Sequence, residues 1–568
     1  MRALDWLVVA LYLGGTLWLG LVLARRGSRS LAEYFVGGRS IPWWLAGASM
    51  AAATFNVDTP LYVAGVVARR GIAGNWEWWA FAFTHVFMAV VLARLWRRAE
   101  VMTDAELIEL RYHGRPAALL RGTRAFLFGI PLNCIAIGYG MLAMRKVLLA
   151  LGVASLIPLP GDRELWAVLI IVLLTLVYAA AAGLWGVVTT DFLQLVLALL
   201  GAMLVAGYAL REVGGLGALR AALVHAGHGD ALRIVPRPGE AFFGTFLAYL
   251  FLQWWSYRLA DGGGMFVQRL SAVKDEKEAE RAALFFNLLN YVIRTWPWIV
   301  VALAALVVLP NLADPELAYP VMMLRYLPAG VLGLVFASLL AAFMSTVSTQ
   351  VNWGASYAVR DLYQRFVNPA ADQRALVRAS RWSSVLITVL AAAASVAMSD
   401  VGTVFRFLIL IGNGTGTVLL LRWFWWRVNA WAEWTALVTG SVLAVLVVAV
   451  PALAALSFGA KLAITAFGAM ALWVPAMLLT PPETPETLGR FYAKARPAGP
   501  GWGPIAALAG VTPARPLAAD VREAVLMLMM VLGLMLAIGG LVVGSAAWSV
   551  GGSAAAAIGW LLKRKRDR

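Results

Sequence analysis

Apolar residues gather in long runs along the chain, and the polar residues collect between them. Runs of membrane-spanning length fall at about 4–24, 42–68, 75–96, 122–150, 165–184, 187–210, 243–268, 282–309, 328–358, 377–399, 402–422, 430–450, 459–480 and 523–544, here numbered spans one to fourteen. A hydrocarbon core of about 30 Å needs about 20 apolar residues in a helix, and these runs meet that length. A last stretch, Ala546 to Leu562, is expected to turn back as a short hairpin partner of span fourteen. The pattern predicts an all-α polytopic membrane protein of about 14–15 spans, with the lipid bilayer as its main partner.

The polar segments set the orientation. Arg25, Arg26 and Arg29 follow span one, and Arg94, Arg97, Arg98, Arg111 and Arg115 follow span three. Lys274, Lys277 and Arg281 follow span seven, and Arg360, Arg365, Arg374, Arg378 and Arg381 follow span nine. Basic loops stay on the cytoplasmic side, so the N-terminus is expected outside. The closing hairpin then brings Lys563-Arg564-Lys565-Arg566 to the cytoplasmic side as well. Residues 1–480 read as the membrane domain, 481–521 as a Pro- and Ala-rich cytoplasmic linker, and 522–568 as a C-terminal membrane helix or hairpin with a basic tail. Residues 211–241 read as an outer loop. The charges of the N-terminal segment follow its apolar run and no cleavage-type end is present, so it reads as a retained span and not a signal peptide.

Composition sharpens this picture. The chain of 568 residues is 61% hydrophobic and 14% charged, with 25 Trp residues and a mean hydropathy of +0.78. Indole favours the lipid–water interface, which suits that Trp content. A net charge of +17 raises nucleic acid as a partner, but the basic residues are dispersed between spans and form no single stripe, so no nucleic acid is expected. The single cysteine, Cys134, excludes an intrachain disulfide. His85, His113, His225 and His228 lack metal-ligand spacing. No nucleophile–base pair stands among the buried polar residues, so an enzyme is not expected.

Polar groups inside a bilayer are expensive and mark functional candidates. Span two carries Thr54-Phe55-Asn56-Val57-Asp58-Thr59-Pro60. Pro60 removes a backbone donor and clashes with the carbonyl of Asn56, so the helix is expected to break near Thr54–Thr59. The other reading is a kinked helix whose Asp58 reaches an outer vestibule. Freed carbonyls at a break coordinate cations. In span nine, Ala342, Ser345, Thr346 and Thr349 share one helix face, with Ser348 beside them. Hydroxyl and carbonyl oxygens suit a hard cation, although Ser and Thr also simply bond back to their own helix. Asp191 lies near the cytoplasmic end of span six, where it either meets span nine or pairs with a loop Arg. Asp261-Gly262-Gly263-Gly264 predicts a second break, in span seven, because each glycine weakens a helix by about 1 kcal/mol.

At these residues the chain resembles the sodium:solute symporter family. The likeness is carried by Glu33-Tyr34-Phe35-Val36-Gly37-Gly38-Arg39-Ser40-Ile41-Pro42-Trp43-Trp44, Thr190-Asp191-Phe192-Leu193-Gln194 and Val267-Gln268-Arg269-Leu270-Ser271-Ala272. Met344-Ser345-Thr346-Val347-Ser348 and Arg360-Asp361-Leu362-Tyr363 add to it, over about residues 5–425 in the family's order. The resemblance implies a leucine-transporter-type core (about 42–425) of two inverted five-helix repeats, spans two to six and seven to eleven. It implies sodium as the co-transported ion, with no organic cofactor. A first sodium site would use the carbonyls of Ala52, Phe55 and Ala342 and the hydroxyls of Ser345 and Thr346. A possible second would use Asp191, Ser345, Ser348 and Thr349.

The substrate positions depart from the family's sugar carriers, which place amides and a tyrosine where this chain has Gly263 and Met265. Thr54, Asp58, Thr59, Glu77, Asp261 and Asn413 are the candidate contacts for a small polar solute. Trp76, Trp78, Trp79, Trp254 and Trp255 stand near those carboxylates, an arrangement that suits a cationic or amine-bearing solute, although such Trp residues are more often interface anchors. The expected function is sodium-coupled symport of a small polar organic solute across the inner (plasma) membrane. The alternatives are a proton-coupled carrier using Asp58, Glu77 or Asp191, and a non-transporting solute sensor.

Overall fold

The structure, a computed structural model, describes residues 1–27, 36–101 and 103–567. Arg29 of the first basic loop and Glu33-Tyr34-Phe35 of the family-like segment lie outside the described residues, as do the side chains of Arg25, Arg26, Lys565 and Arg566. Among the described residues, nine helices are long and apolar enough to cross a membrane. Several of the remaining predicted spans are present as paired half-helices.

Span two is one of these. It forms Trp43–Ala53 and Asp58–Arg70, with 54–57 non-helical between them. The break falls where Pro60 requires it: the proline occupies the first turn of the second half, where its missing N–H costs nothing. Asp58 begins that half and meets the positive end of its backbone dipole. Span seven is broken as well. Its first half runs from Phe243–Ala248 through a wide π turn, Tyr249–Gln253, to Trp254–Ser256, and its second is Met265–Ala272. Gly262 and Gly264 between them take φ values of +74° and +70°, a left-handed conformation that residues with a Cβ adopt rarely.

Span eleven breaks too, which the sequence pattern did not predict. It consists of Val401–Gly412 and Gly416–Phe424. The backbones of Tyr257 and Asn413 pair across the two breaks. A Cβ on Gly416 would overlap the backbone of Ser256 and Tyr257, so only glycine allows the two chains to lie this close.

Spans five and six share the helical stretch Arg163–Val213, which is not straight. Ile171 packs with Tyr12 against Met344, while Gln194 hydrogen-bonds the Tyr12 hydroxyl at 3.2 Å. In a straight helix those 23 residues would be separated by about 34 Å. Spans three, eight and nine run over 72–99, 276–308 and 331–367, and span four over 114–150. Spans ten, twelve and thirteen are Gln373–Val396, Ala430–Ala449 and Phe458–Leu479.

The segment expected as a linker is folded. Pro485–Ala495 and Gly503–Ala509 are helices that bury Phe491, Tyr492 and Trp502. The Arg111 guanidinium lies over Trp502 at 5.0 Å, and the Trp502 indole donates to the Trp423 carbonyl at 2.8 Å. These contacts cap the end of span eleven. The C-terminal hairpin is present as Leu517–Val543 and Ala546–Asp567. Its helices approach closely because Gly533, Gly540, Gly552 and Gly559 leave no room for a Cβ.

Candidate ion and solute site

Asp191 joins three spans. Its Oδ2 accepts from the Ser49 hydroxyl of span two at 2.5 Å, and its Oδ1 from the Ser345 hydroxyl of span nine at 2.6 Å. Arg269 of span seven stands 3.7 Å away and also donates to Ser49 at 3.3 Å. All four side chains are buried. Ala52 lies one helical turn beyond Ser49, so the span-two break is held at the level of the span-nine hydroxyls. There Thr346 donates to the Ala342 carbonyl at 3.1 Å, Ser348 donates to the Ser345 carbonyl at 2.9 Å, and the Thr349 hydroxyl is buried without a partner. The structure thus brings together the elements that carry both predicted oxygen sets.

Arg294 of span eight braces the break. It donates to the carbonyls of Ala51 and Thr54, each at 3.0 Å, and lies against the rings of Phe55 and Trp298. Two freed carbonyls are therefore taken by protein. The Ala52 carbonyl accepts the Phe55 amide at 2.9 Å.

The six candidate solute contacts divide into two groups. Thr54, Asp58 and Thr59 ring the break: the Thr54 hydroxyl bonds the Ala51 carbonyl at 3.0 Å, Thr59 receives the Asn56 amide at 3.4 Å, and Oδ1 of the buried Asp58 has no partner. The other three carry structural contacts. Glu77 is fully buried between Arg70 at 2.5 Å and Arg406 at 2.7 Å. Asp261 accepts from Arg422 at 2.6 Å and from the Trp423 indole at 3.1 Å. Asn413 bonds the Ser256 hydroxyl and donates to the Leu462 carbonyl at 2.8 Å, tying spans seven, eleven and thirteen together.

Two adjoining cavities open toward the face that carries the basic loops. The outer one, of about 160 Å³, is lined by Thr103, Gln268, Arg269, Thr349, Asn352 and Ser384 among others. The smaller one, of about 40 Å³, reaches Phe128, Asn133, Arg258 and Gln350. The opposite face is sealed by ion pairs: Glu77 with Arg70 and Arg406, Arg69 with Asp400 at 2.9 Å, and Lys146 with Glu316 at 2.5 Å. No residue of the span-two break lines either of these cavities, and the opposite face carries a cavity of its own, of about 400 Å³, lined by Arg69, Arg70, His228 and Asp230 among others.

Sequence reasoning passed over Ser49, Arg258, Arg269, Arg294 and the buried network in which Arg124 pairs with Asp104 at 2.6 Å and Glu433 at 2.9 Å, and Arg422 with Glu433 at 3.0 Å. The signal was there. Arg124, Arg258, Arg269 and Arg294 lie inside or at the edge of apolar runs, where a charge demands an explanation.

A model of the sodium:solute symporter family matches residues 34–440. The sodium/glucose cotransporter of Vibrio parahaemolyticus is 26% identical over 460 residues, which cover 74% of this chain and 81% of that protein. Sodium/glucose cotransporter 1 of Oryctolagus cuniculus is 24% identical over 497 residues, 78% of this chain and 72% of the relative. Among solved structures, the substrate-bound, outward-open sodium-coupled sialic acid symporter superposes with a TM-score of 0.68 at 20% identity, over 85% of this chain and 99% of that one. That likeness establishes a common fold.

Proposed function

The chain belongs to the sodium:solute symporter family, and from that premise we propose that it couples sodium entry to the uptake of a small polar organic solute across the plasma membrane. The single observation that carries this reading is the Ser49–Asp191–Ser345 junction, which holds the broken span two against the hydroxyl face of span nine. The first sodium binds among the carbonyls of Ala52, Phe55 and Ala342 and the hydroxyls of Ser345 and Thr346. A second binds at Asp191, Ser345, Ser348 and Thr349. Oxygen donors of this kind suit a hard monovalent cation. Thr54, Asp58 and Thr59 face the solute from the break.

Sodium bound between spans two and nine stabilises the conformation open to the outside, solute binding favours closure, and the ion-paired outer seal forms as the cavity opens to the cytoplasm. Each ligand shifts this equilibrium only by its difference in affinity between the two states. The N-terminus lies outside and the C-terminus in the cytoplasm. Proteoliposomes given an inward sodium gradient are expected to accumulate a member of a labelled panel of hexoses, amino acids and hydroxy acids. An equal potassium gradient is expected to give none. A proton-coupled second reading is favoured by the unpartnered Oδ1 of buried Asp58. Uptake driven by a pH gradient without sodium would establish it and exclude the first.

A further inference from the structure

Most of the arginines that point into the protein core are accounted for. Arg124 is paired with Asp104 and Glu433, Arg422 with Asp261 and Glu433, Arg269 with Asp191, and Arg294 is held by backbone carbonyls. Arg258 is different. It sits in the span-seven break and lines the smaller cavity, and its Nε is buried without a partner. Among the described residues its guanidinium makes neither a hydrogen bond nor an ion pair. Its contacts are to ring faces, Phe128 at 5.1 Å and Tyr257 at 5.9 Å. Its stem runs past Gly412, where a Cβ would stand 3.0 Å from Arg258 Cγ, so the glycine at the end of that half-helix makes room for it.

Among the described residues no carboxylate is in contact with it. The one carboxylate lining that cavity is Asp104, whose Oδ2 is taken by Arg124 and whose Oδ1 receives the Tyr357 hydroxyl. Both Asp104 oxygens are therefore engaged, and the Arg258 guanidinium faces the space with no carboxylate in contact, beside a buried network of three carboxylates (Asp104, Asp261, Glu433) and two arginines (Arg124, Arg422). The carboxylates that suggested a cationic solute, Glu77 and Asp261, are committed to other arginines. A guanidinium presents a planar fork of donors that matches a carboxylate. The side-chain amides of Asn133 and Gln350 line the same cavity, and Trp353 supplies an aromatic face.

We propose that the co-transported solute is a small organic acid, and that Arg258 binds its carboxylate while Asn133 and Gln350 serve its hydroxyl or amide groups. This rests on the symport reading above and deepens it by naming the substrate class. It also places the anion next to the sodium sites, since Gln350 and Trp353 lie about one to two helical turns from Thr346 on span nine.

The test is thermal stability of the full-length protein in nanodiscs, in sodium, against matched probes: lactate with lactamide, glycerate with glycerol, and gluconate and glucuronate with glucose. At least one acid is expected to raise the melting temperature where its neutral partner does not. Arg258→Gln is expected to weaken that acid at least tenfold, with Arg258→Lys retaining part of it. Both variants should keep the sodium-induced shift, which shows that they are folded and that the ion site is intact. A response to the neutral members alone, or an acid response that Arg258→Gln leaves unchanged, overturns the proposal while leaving symport standing. A panel with no response in the presence of a sodium shift overturns it equally. Absence of any sodium shift in the wild type removes the symport reading and this one with it.

Discussion

Replacing Asp191 by Asn separates the structural role of this carboxylate from its ionic one. The substitution keeps the shape and one acceptor oxygen but removes the charge that Arg269 faces at 3.7 Å. Breaking a buried pair by neutralising one partner costs about 3–5 kcal/mol when the pair is in direct contact. Here the separation is long and Arg269 keeps its bond to Ser49, which lowers the charge contribution. One serine bond persists to the amide oxygen and the other must reverse, the amide NH2 donating to the hydroxyl, so both fall from the charge-assisted range to the neutral one, a loss of about 1 kcal/mol each. A net destabilisation of about 2–3 kcal/mol follows. In sodium titrations of uptake, the variant should also drop from a Hill coefficient near two to one near unity. Ser348→Ala supplies the control. Its hydroxyl bonds only its own helix, to the Ser345 carbonyl, so its removal should leave stability almost unchanged while weakening the second ion. A wild-type Hill coefficient near one, or an Asp191→Asn variant that keeps both its stability and a coefficient near two, refutes the two-ion reasoning.

Other consequences follow from the outer seal and the paired breaks. Glu77→Gln leaves Arg70 and Arg406 facing a neutral amide, and a cost of about 2 kcal/mol to the sealed state shifts the open–closed balance by roughly 30-fold. Thiol labelling of a cysteine introduced beside the seal, in a Cys134→Ser background, should rise accordingly; unchanged labelling counts against the seal. Gly416→Ala forces a methyl into the backbone of Ser256 and Tyr257, with an expected loss of about 1–3 kcal/mol measurable by thermal unfolding. Asp400, in the loop before span eleven, is raised by burial, but the Thr403 hydroxyl and amide and the Arg69 guanidinium outweigh this and hold it at about 2, below its ordinary 3.8. A depressed carboxyl contributes stability above its unfolded value that is lost as pH falls through the folded one. Outer-face accessibility should therefore be independent of this pair above about pH 4 and rise below it in the wild type but not in Asp400→Asn.

Features written in local chemistry were legible before the structure. Pro60 with Asn56 and Asp58 specifies the span-two break, and three glycines specify the one in span seven, because each acts on its own backbone. The hydroxyl face of span nine follows from helical spacing alone. Features set by distant partners were not legible. The break in span eleven at 413–415 carries a local signal that apolar run length alone hides, Gly412-Asn413-Gly414-Thr415-Gly416, whereas the close fit of Gly416 against span seven is not written locally. Glu77 looked like a solute ligand because its partner Arg406 lies 329 positions away. The 481–521 segment looked like a linker, although Trp502 and Phe491 give it an apolar face that closes over Arg111. The arginines inside the spans were the clearest missed signal, since each had to find a carboxylate, a carbonyl or a ligand.

The central claim is that sodium binds between the break in span two and the hydroxyls of span nine. Its most direct test is the melting temperature of the purified protein in sodium against potassium, for the wild type and for Ser345→Ala/Thr346→Ala. A ligand that binds only the folded state raises stability by mass action. The account predicts a sodium-specific rise in the wild type that disappears in the double variant while the protein remains folded. Equal melting temperatures in the two salts at high concentration, in well-folded wild type, would contradict it.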